Sequence, residues 1–439
     1  MQDESRPLET YEEAVKYLLK LRRFGTKLGL QNISRLLDQL DYPQRNQRII
    51  HVAGTNGKGS TCYILEQAFR TAGYKTGLFL SPHLHSFRER LQINRQIISR
   101  ENTVTLVNQV RAVCQSLPQD NRPTFFEMLV AIALLYYQQE ACDFTILETG
   151  MGGRLDATNI VDPFATVITN VGLDHQAWLG NTVEEIAREK AGIIKENCPI
   201  YTGATGKARK VIQEQADRLH APLTVVDTQS HPALSADCHP SLQAPFQQQN
   251  LALALALLTD ANTQLKLNKW EKLKQGALRT TCPGRVQLMR RAENPGIQYL
   301  LDVGHNGEAM KALLSALQSR FKAASISVIF GALEDKSWPE MLTSLNDITK
   351  SLAFVPVRSA RALDPNKLLA WCQRHRPGSL AHAYPSLADA LASLKTELVV
   401  ITGSFYLVGE AMSALDPITY PDDERALNEY HPPSSPSPA

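Results

Sequence analysis

Residues 54–60 read Gly54-Thr55-Asn56-Gly57-Lys58-Gly59-Ser60, a glycine-rich loop with one ammonium and one hydroxyl at its end. Glycines let backbone N–H groups approach an anion closely, a following helix N-terminus favours negative charge, a lysine balances terminal phosphates and a hydroxyl can ligate Mg²⁺. An apolar run at 48–53 precedes the loop and a helical pattern at 58–72 follows it, the strand–loop–helix context such a cradle needs. The spacing departs from G-x-x-x-x-G-K-[ST], because Gly54 and Gly57 stand close together and Gly59 separates Lys58 from Ser60. A plain glycine turn would need neither Lys58 nor Ser60, so the loop is read as holding ATP by its phosphates, with Mg²⁺.

A second group of reactive residues stands at other strand ends. The run 143–148 is apolar until Glu148, and the run 165–170 opens into Val171-Gly172-Leu173-Asp174-His175. Ligands of open α/β sheets bind at the carboxyl edge of the strands, so Glu148 and His175 reach the same cleft as Ser60, as oxygen and nitrogen ligands for a metal. A surface carboxylate and a hydrogen-bonded structural histidine are the alternatives. Between the two runs lies Gly150-Met151-Gly152-Gly153-Arg154-Leu155-Asp156-Ala157-Thr158-Asn159, too rich in glycine for an ordinary loop.

The elements that must position these groups alternate. Short apolar runs at 48–53, 76–80, 143–148 and 165–170 are separated by helical patterns at 58–72, 104–117, 126–139 and 183–194, which predicts a parallel sheet covered on both faces. Amphipathic helices interrupted by Gly25 and Gly29 lead in, and a polar, Gln-rich stretch at 204–249 is expected to wrap the domain edge before a helix at 250–258. Thr281-Cys282-Pro283-Gly284-Arg285 breaks regular structure, and strands at 298–303, 326–331, 352–357 and 398–402 then predict a second α/β domain. The expected division is a P-loop-type ATP-binding domain at 1–282, a hinge at 283–289, a smaller Rossmann-like domain at 290–415 and a polar, proline-rich tail at 416–439.

A length of 439 residues fits two cores, and a formal net charge of +2 without a basic block gives no field for nucleic acid. No apolar run is long enough for a membrane span. Seven scattered cysteines without a C-x-x-C pair and a polar, acidic N-terminus point to reduced thiols in a cytoplasmic enzyme.

Further segments complete a set: Ser81-Pro82-His83-Leu84, Glu89-Arg90-Leu91-Gln92-Ile93-Asn94, Thr124-Phe125-Phe126-Glu127, Glu189-Lys190-Ala191-Gly192-Ile193, Pro283-Gly284-Arg285, Leu301-Asp302-Val303-Gly304-His305-Asn306 and Thr402-Gly403-Ser404. Together they resemble the folylpolyglutamate synthase and dihydrofolate synthase family of the Mur ligase superfamily, in the family's order from about Leu28 to Glu410. The resemblance implies an ATP-dependent ligase that phosphorylates the carboxylate of a folate or pteroate and lets the amino group of L-glutamate attack the acyl phosphate. It implies one Mg²⁺ with Ser60, Ser81 and Glu148, and a second with His175 and a carbamylated Lys190. Lys58, Glu148, His175 and Lys190 would be catalytic. Asn250, Arg285 and Asp302 would join the loop in holding ATP. Gly29, Leu30, Thr124, Phe125, Phe126, Glu127, Arg154 and Asp156 would bind the pterin acceptor, and His305 and Ser404 would lie near glutamate. The family commonly reads Asp-Gly-Ala-His-Asn where this chain has Asp302-Val303-Gly304-His305-Asn306, which touches only the local backbone path. The expected partners are small molecules and the expected state is a monomer. Another Mur-type amino-acid ligase and a nucleotide-gated regulator are the rival readings, and no residue decides between folate and dihydropteroate as acceptor.

Overall fold

The structure is a computed structural model that describes residues 6–24, 29–118, 121–227, 237–291, 294–321, 325–345 and 349–421. Two sheets account for the strands. The first holds β1 (Ile49–Ala53), β2 (Thr76–Phe79), β3 (Leu91–Ile93), β4 (Gln96–Ile97), β5 (Phe144–Glu148), β6 (Ala165–Ile168), β7 (Ile200–Thr202) and β8 (Leu223–Val225), in the order β4-β3-β2-β5-β1-β6-β7-β8. The second holds β9 (Gln287–Arg291), β10 (Asn294–Asp302), β11 (Ile326–Phe330), β12 (Ser351–Phe354), β13 (Leu380–Ala383) and β14 (Leu398–Thr402), in the order β13-β12-β11-β14-β10-β9.

Both sheets are parallel at their centres, as the alternation of apolar runs and helical patterns requires. Each also has an antiparallel edge that the expectation of a parallel sheet lacked: β3 and β4 flank β2, and β9 flanks β10. These edge strands are short or alternate in burial, so they lack the continuous apolar run of a central strand. The stretch at 204–249 is also more regular than expected. It contains the helix Gly206–Arg218, whose Ala208, Val211, Ile212 and Ala216 are buried, and then β8; the helix Pro245–Gln264 begins ahead of the expected 250. The helix expected to reach 194 ends at Ala191. Residues 25–28 of the lead-in and 422–439 of the tail lie outside the described residues.

All five positions of β1 and of β5 are buried, because helices cover both faces. The helices Tyr11–Lys20, Gln31–Gln39, Arg100–Ser116 and Phe125–Gln139 pack on one side, and Lys58–Thr71, Pro245–Gln264 and Trp270–Leu278 on the other. Register brings the reactive ends level: Val52 pairs with Glu148, and Ala53 with Ile168. In the second sheet Asp302 pairs with Thr402, so the turns beginning at Val303 and Gly403 leave side by side. The chain crosses between sheets at 280–286, and β9 starts at Gln287, within the stretch assigned to the hinge.

Candidate active site

A single cavity of about 780 Å³ joins the carboxyl edges of the two sheets, lined by the loop 54–60 from one side and by Asp302, Val303, Gly304, His305, Gly403 and Ser404 from the other. At its floor, Gly57 adopts φ +85° and caps the helix Lys58–Thr71 with no side chain. A Cβ at Gly57 would run into the Asn250 carboxamide, so the loop can pack this tightly only with glycine there. The first N–H groups of the helix, from Lys58 to Ser60, have no intrahelical partner and form the anion-attracting end of its dipole. The N–H groups of Thr55 and Asn56 are committed instead to Asn170, at 3.0 and 2.8 Å. The Lys58 ammonium donates to the carbonyls of Gly54 at 3.1 Å and Thr55 at 3.5 Å, neutral acceptors that a phosphate oxygen would outcompete.

Glu148 is 4% exposed and its Oε2 accepts from the Ser81 N–H at 2.8 Å. Burial pushes its carboxyl up from the usual range, opposed by Lys58, the Ser81 N–H, Arg285 and Arg90. The Ser60 hydroxyl is buried without a hydrogen-bond partner of good geometry, close to the Cys282 thiol, which burial pushes up to about 11. A buried carboxylate beside an orphaned hydroxyl fits a hard cation, which would complete its shell with phosphate oxygens and water. Among the described residues no three His, Cys, Asp or Glu side chains converge as a ready metal site.

Lys190 is 3% exposed on the buried face of the helix Val183–Ala191, and no acceptor or carboxylate among the described residues pairs with its ammonium. Burial, with a contribution from Lys58, lowers its pKa to about 7. His175 stands at the head of the one-turn helix Gln176–Leu179 with φ +51°. Burial lowers its pKa, against the pull of Asp174.

The remaining sequence-assigned residues divide. Asp302 is buried, accepts from the N–H groups of Val286 at 3.0 Å and Gly304 at 2.9 Å, and faces the cavity with Arg285 and Asn250. His305 lines the same wall, with Nδ1 against the Val303 carbonyl at 3.1 Å, and burial lowers its pKa to about 4. The Ser404 hydroxyl accepts from the Leu407 N–H as a helix cap. Thr124 and Glu127 form a capping box that starts the helix Phe125–Gln139, while also lining the cavity. Phe126 lines it too, packed so closely over Gly150 that a Cβ there would clash with the ring. Asp156 and Gly29 reach the cavity; Phe125, Leu30 and Arg154 are not among its lining residues. Arg154 pairs with Glu189 at 2.7 Å, and Phe125 lies under the guanidinium of Arg22, 4.7 Å from its ring centroid.

Sequence reasoning missed Asp174. This carboxylate leaves the first sheet beside His175 and meets three residues of the second. Asn306 Nδ2 donates to it at 3.2 Å, the Lys336 ammonium lies at 3.6 Å and His305 Nε2 at 3.8 Å. Burial pushes its pKa up, but Lys336 foremost, followed by His175, His305 and the Asn306 hydrogen bond, prevails and holds it at about 2. A second bridge runs from Asn306 Nδ2 to Asn56 Oδ1 in the phosphate loop, at 3.1 Å. The only sequence signal for Asp174 is its place next to His175; its partners lie more than a hundred residues away.

Residues 52–201 match the Mur ligase middle domain and residues 284–405 the Mur ligase, glutamate ligase domain. The dihydrofolate synthase/folylpolyglutamate synthase of Bacillus subtilis is 35% identical over 92% of this chain and 99% of its own length. The chain belongs to the folylpolyglutamate synthase and dihydrofolate synthase family. The Escherichia coli dihydrofolate synthase/folylpolyglutamate synthase is 32% identical over 92% of this chain and 94% of its own. The structure of E. coli FolC in complex with DHPP and ADP superposes with a TM-score of 0.81, at 28% identity over 95% of this chain and 99% of that one. Folylpolyglutamate synthase from Thermotoga maritima gives 0.80, at 29% identity over 94% and 99%. Membership agrees with the two-sheet architecture. Among the described residues no helix is long and apolar enough to cross a membrane.

Proposed function

We propose that this chain is an ATP-dependent ligase that adds L-glutamate to a folate, to dihydropteroate or to both, through an acyl phosphate. The observation that carries the reading is the cavity: the phosphate loop with Glu148 and Lys190 on one side, Asp302, His305 and Ser404 on the other, and Phe126 over Gly150 as an apolar wall between. The helix N-terminus and Lys58 hold the phosphates, while Asn250, Arg285 and Asp302 take the adenosine half. The Phe126 wall suits a flat heteroaromatic ring, and Asp156, Gly29 and Thr124 complete that end.

Setting a carboxylate against the γ-phosphate opposes two anions. Mg²⁺ held by Ser60, Ser81 and Glu148, with a second ion at His175 and a carbamylated Lys190, would neutralise that charge. The acceptor's carboxylate oxygen attacks the γ-phosphorus and ADP leaves. The glutamate amine, presented from the second domain near His305 and Ser404, then attacks the acyl carbon and phosphate departs. Closing the two domains over the cavity about the 283–289 hinge would exclude the water that hydrolyses an acyl phosphate.

Purified protein with ATP, Mg²⁺ and labelled L-glutamate is expected to form an amide with dihydropteroate, tetrahydrofolate or both, releasing phosphate only when acceptor and glutamate are present. Phosphate release independent of both would overturn the ligase reading. Asp174→Ala removes a carboxylate that holds Lys336, His305 and Asn306 against the first domain. Turnover with saturating ATP and acceptor is expected to fall about 10- to 100-fold, corresponding to about 1.4–2.8 kcal/mol of positioning. Steady-state kinetics check it, with the apparent KM for ATP expected to change little.

A further inference from the structure

Arg90 closes the one-turn helix Phe87–Arg90 ahead of β3, and its side chain is 6% exposed although it lines the central cavity. Its Nε donates to His83 Nδ1 at 2.9 Å. That bond requires a lone pair on Nδ1, so His83 carries its proton on Nε2 and is neutral. The two terminal amino groups of Arg90 meet no hydrogen-bond acceptor among the described residues, and no carboxylate there lies within ion-pair distance. Glu148 and Glu89 feel its charge from farther off.

The terminal amino groups of Arg90 are therefore left to whatever occupies the cavity that the residue lines. Arg22 shares the ring of Phe125 with Arg90, the two guanidinium carbons lying 4.7 and 5.7 Å from its centroid. Arg22 adds like charge, which with burial lowers the Arg90 pKa to about 10 and leaves it cationic. The vacant half of the fork is planar, lines the cavity and can take the two oxygens of a carboxylate in a bidentate pair.

We propose that Arg90, oriented by neutral His83, receives the carboxylate of the pteroate or folate acceptor and presents it for phosphorylation. The assignment rests on the ligase reading above and names a specificity residue for it. One carboxylate oxygen attacks the γ-phosphorus, the bond from phosphorus to the β–γ bridging oxygen breaks and ADP leaves with that electron pair. Arg90 keeps its contact with the other oxygen, so an acceptor lacking the carboxylate loses affinity as well as reactivity.

The test is equilibrium binding without ATP or Mg²⁺, comparing dihydropteroate with its carboxamide. Charge-assisted hydrogen bonds of this kind predict that the protein prefers the carboxylate by about 10- to 100-fold. Arg90→Gln is expected to bind the two about equally, the carboxylate losing far more affinity than the carboxamide. Arg90→Lys retains the charge without the fork and is expected to keep only part of the preference; it also serves if Arg90→Gln shows no cooperative melting. An undiminished preference in either folded variant, or none in the unaltered protein, overturns the assignment of Arg90 while leaving the ligase reading intact. Failure of the unaltered protein to bind either compound overturns the acceptor reading and the inference with it.

Discussion

Lys58→Ala is expected to lower acceptor- and glutamate-dependent phosphate release by about 10³-fold or more, the scale of losing a principal electrostatic stabiliser of a transferring phosphoryl group. The fold should survive. Lys58 is half-buried at the mouth of the loop, and its ammonium bonds only the carbonyls of Gly54 and Thr55, so no core packing is lost. A midpoint of thermal unfolding within about 1 °C of the unaltered protein would confirm this, being about 1 kcal/mol for a chain of this size. The loss should exceed that of one contact. Lys58 holds the Glu148 carboxyl down and helps depress the Lys190 pKa, so its removal weakens both neighbours. Near-normal turnover at saturating ATP would contradict the assignment of residues 54–60 as the phosphate loop.

The parts of the site that were legible in the sequence are those made by consecutive residues. A strand, a glycine loop and a helix are contiguous, so Gly54 to Ser60 disclosed their conformation and their place on the cavity, and Glu148 stood out as the one charged residue ending an apolar run. The buried face of the helix Val183–Ala191 followed from period, which places Lys190 with Ile186, Ala187 and Ala191. What could not be read depends on residues distant in the chain. Asp174 acquires its place from His305, Asn306 and Lys336, and Arg90 from His83 and from terminal amino groups that meet no acceptor among the described residues, which no spacing reveals. The antiparallel edges escaped for a related reason. Gln96–Ile97 is two exposed residues, and Gln287–Arg291 carries three polar side chains, so neither has the apolar run that marks a central strand. Adjacent aromatic residues could not be separated by pattern either: Phe126 faces the cavity, whereas Phe125, one step around the helix, lies under Arg22.

Lys190→Ala is expected to reduce turnover by about 10²- to 10³-fold, and short-chain carboxylic acids should restore part of the loss. A cationic ammonium would repel Mg²⁺, so a functional Lys190 near His175 must first become neutral. The protein arranges that: the side chain is 3% exposed, burial and Lys58 lower its pKa to about 7, and no carboxylate pairs with it among the described residues. The neutral amine would add to CO₂, forming a nitrogen–carbon bond and releasing a proton, to give a carbamate whose single negative charge is shared by two oxygens. That product would offer an anionic oxygen ligand from the helix Val183–Ala191, and it would convert a repulsive charge into an attractive one. An added carboxylic acid can occupy the space left by alanine and present the same oxygens, which explains why rescue should follow carboxylate concentration and not ionic strength. Isotopically labelled CO₂ should give a carbamate resonance in the unaltered protein that Lys190→Ala lacks. Full activity of Lys190→Ala in CO₂-depleted buffer would show that the carbamate has no catalytic part, leaving His175 to act with water alone.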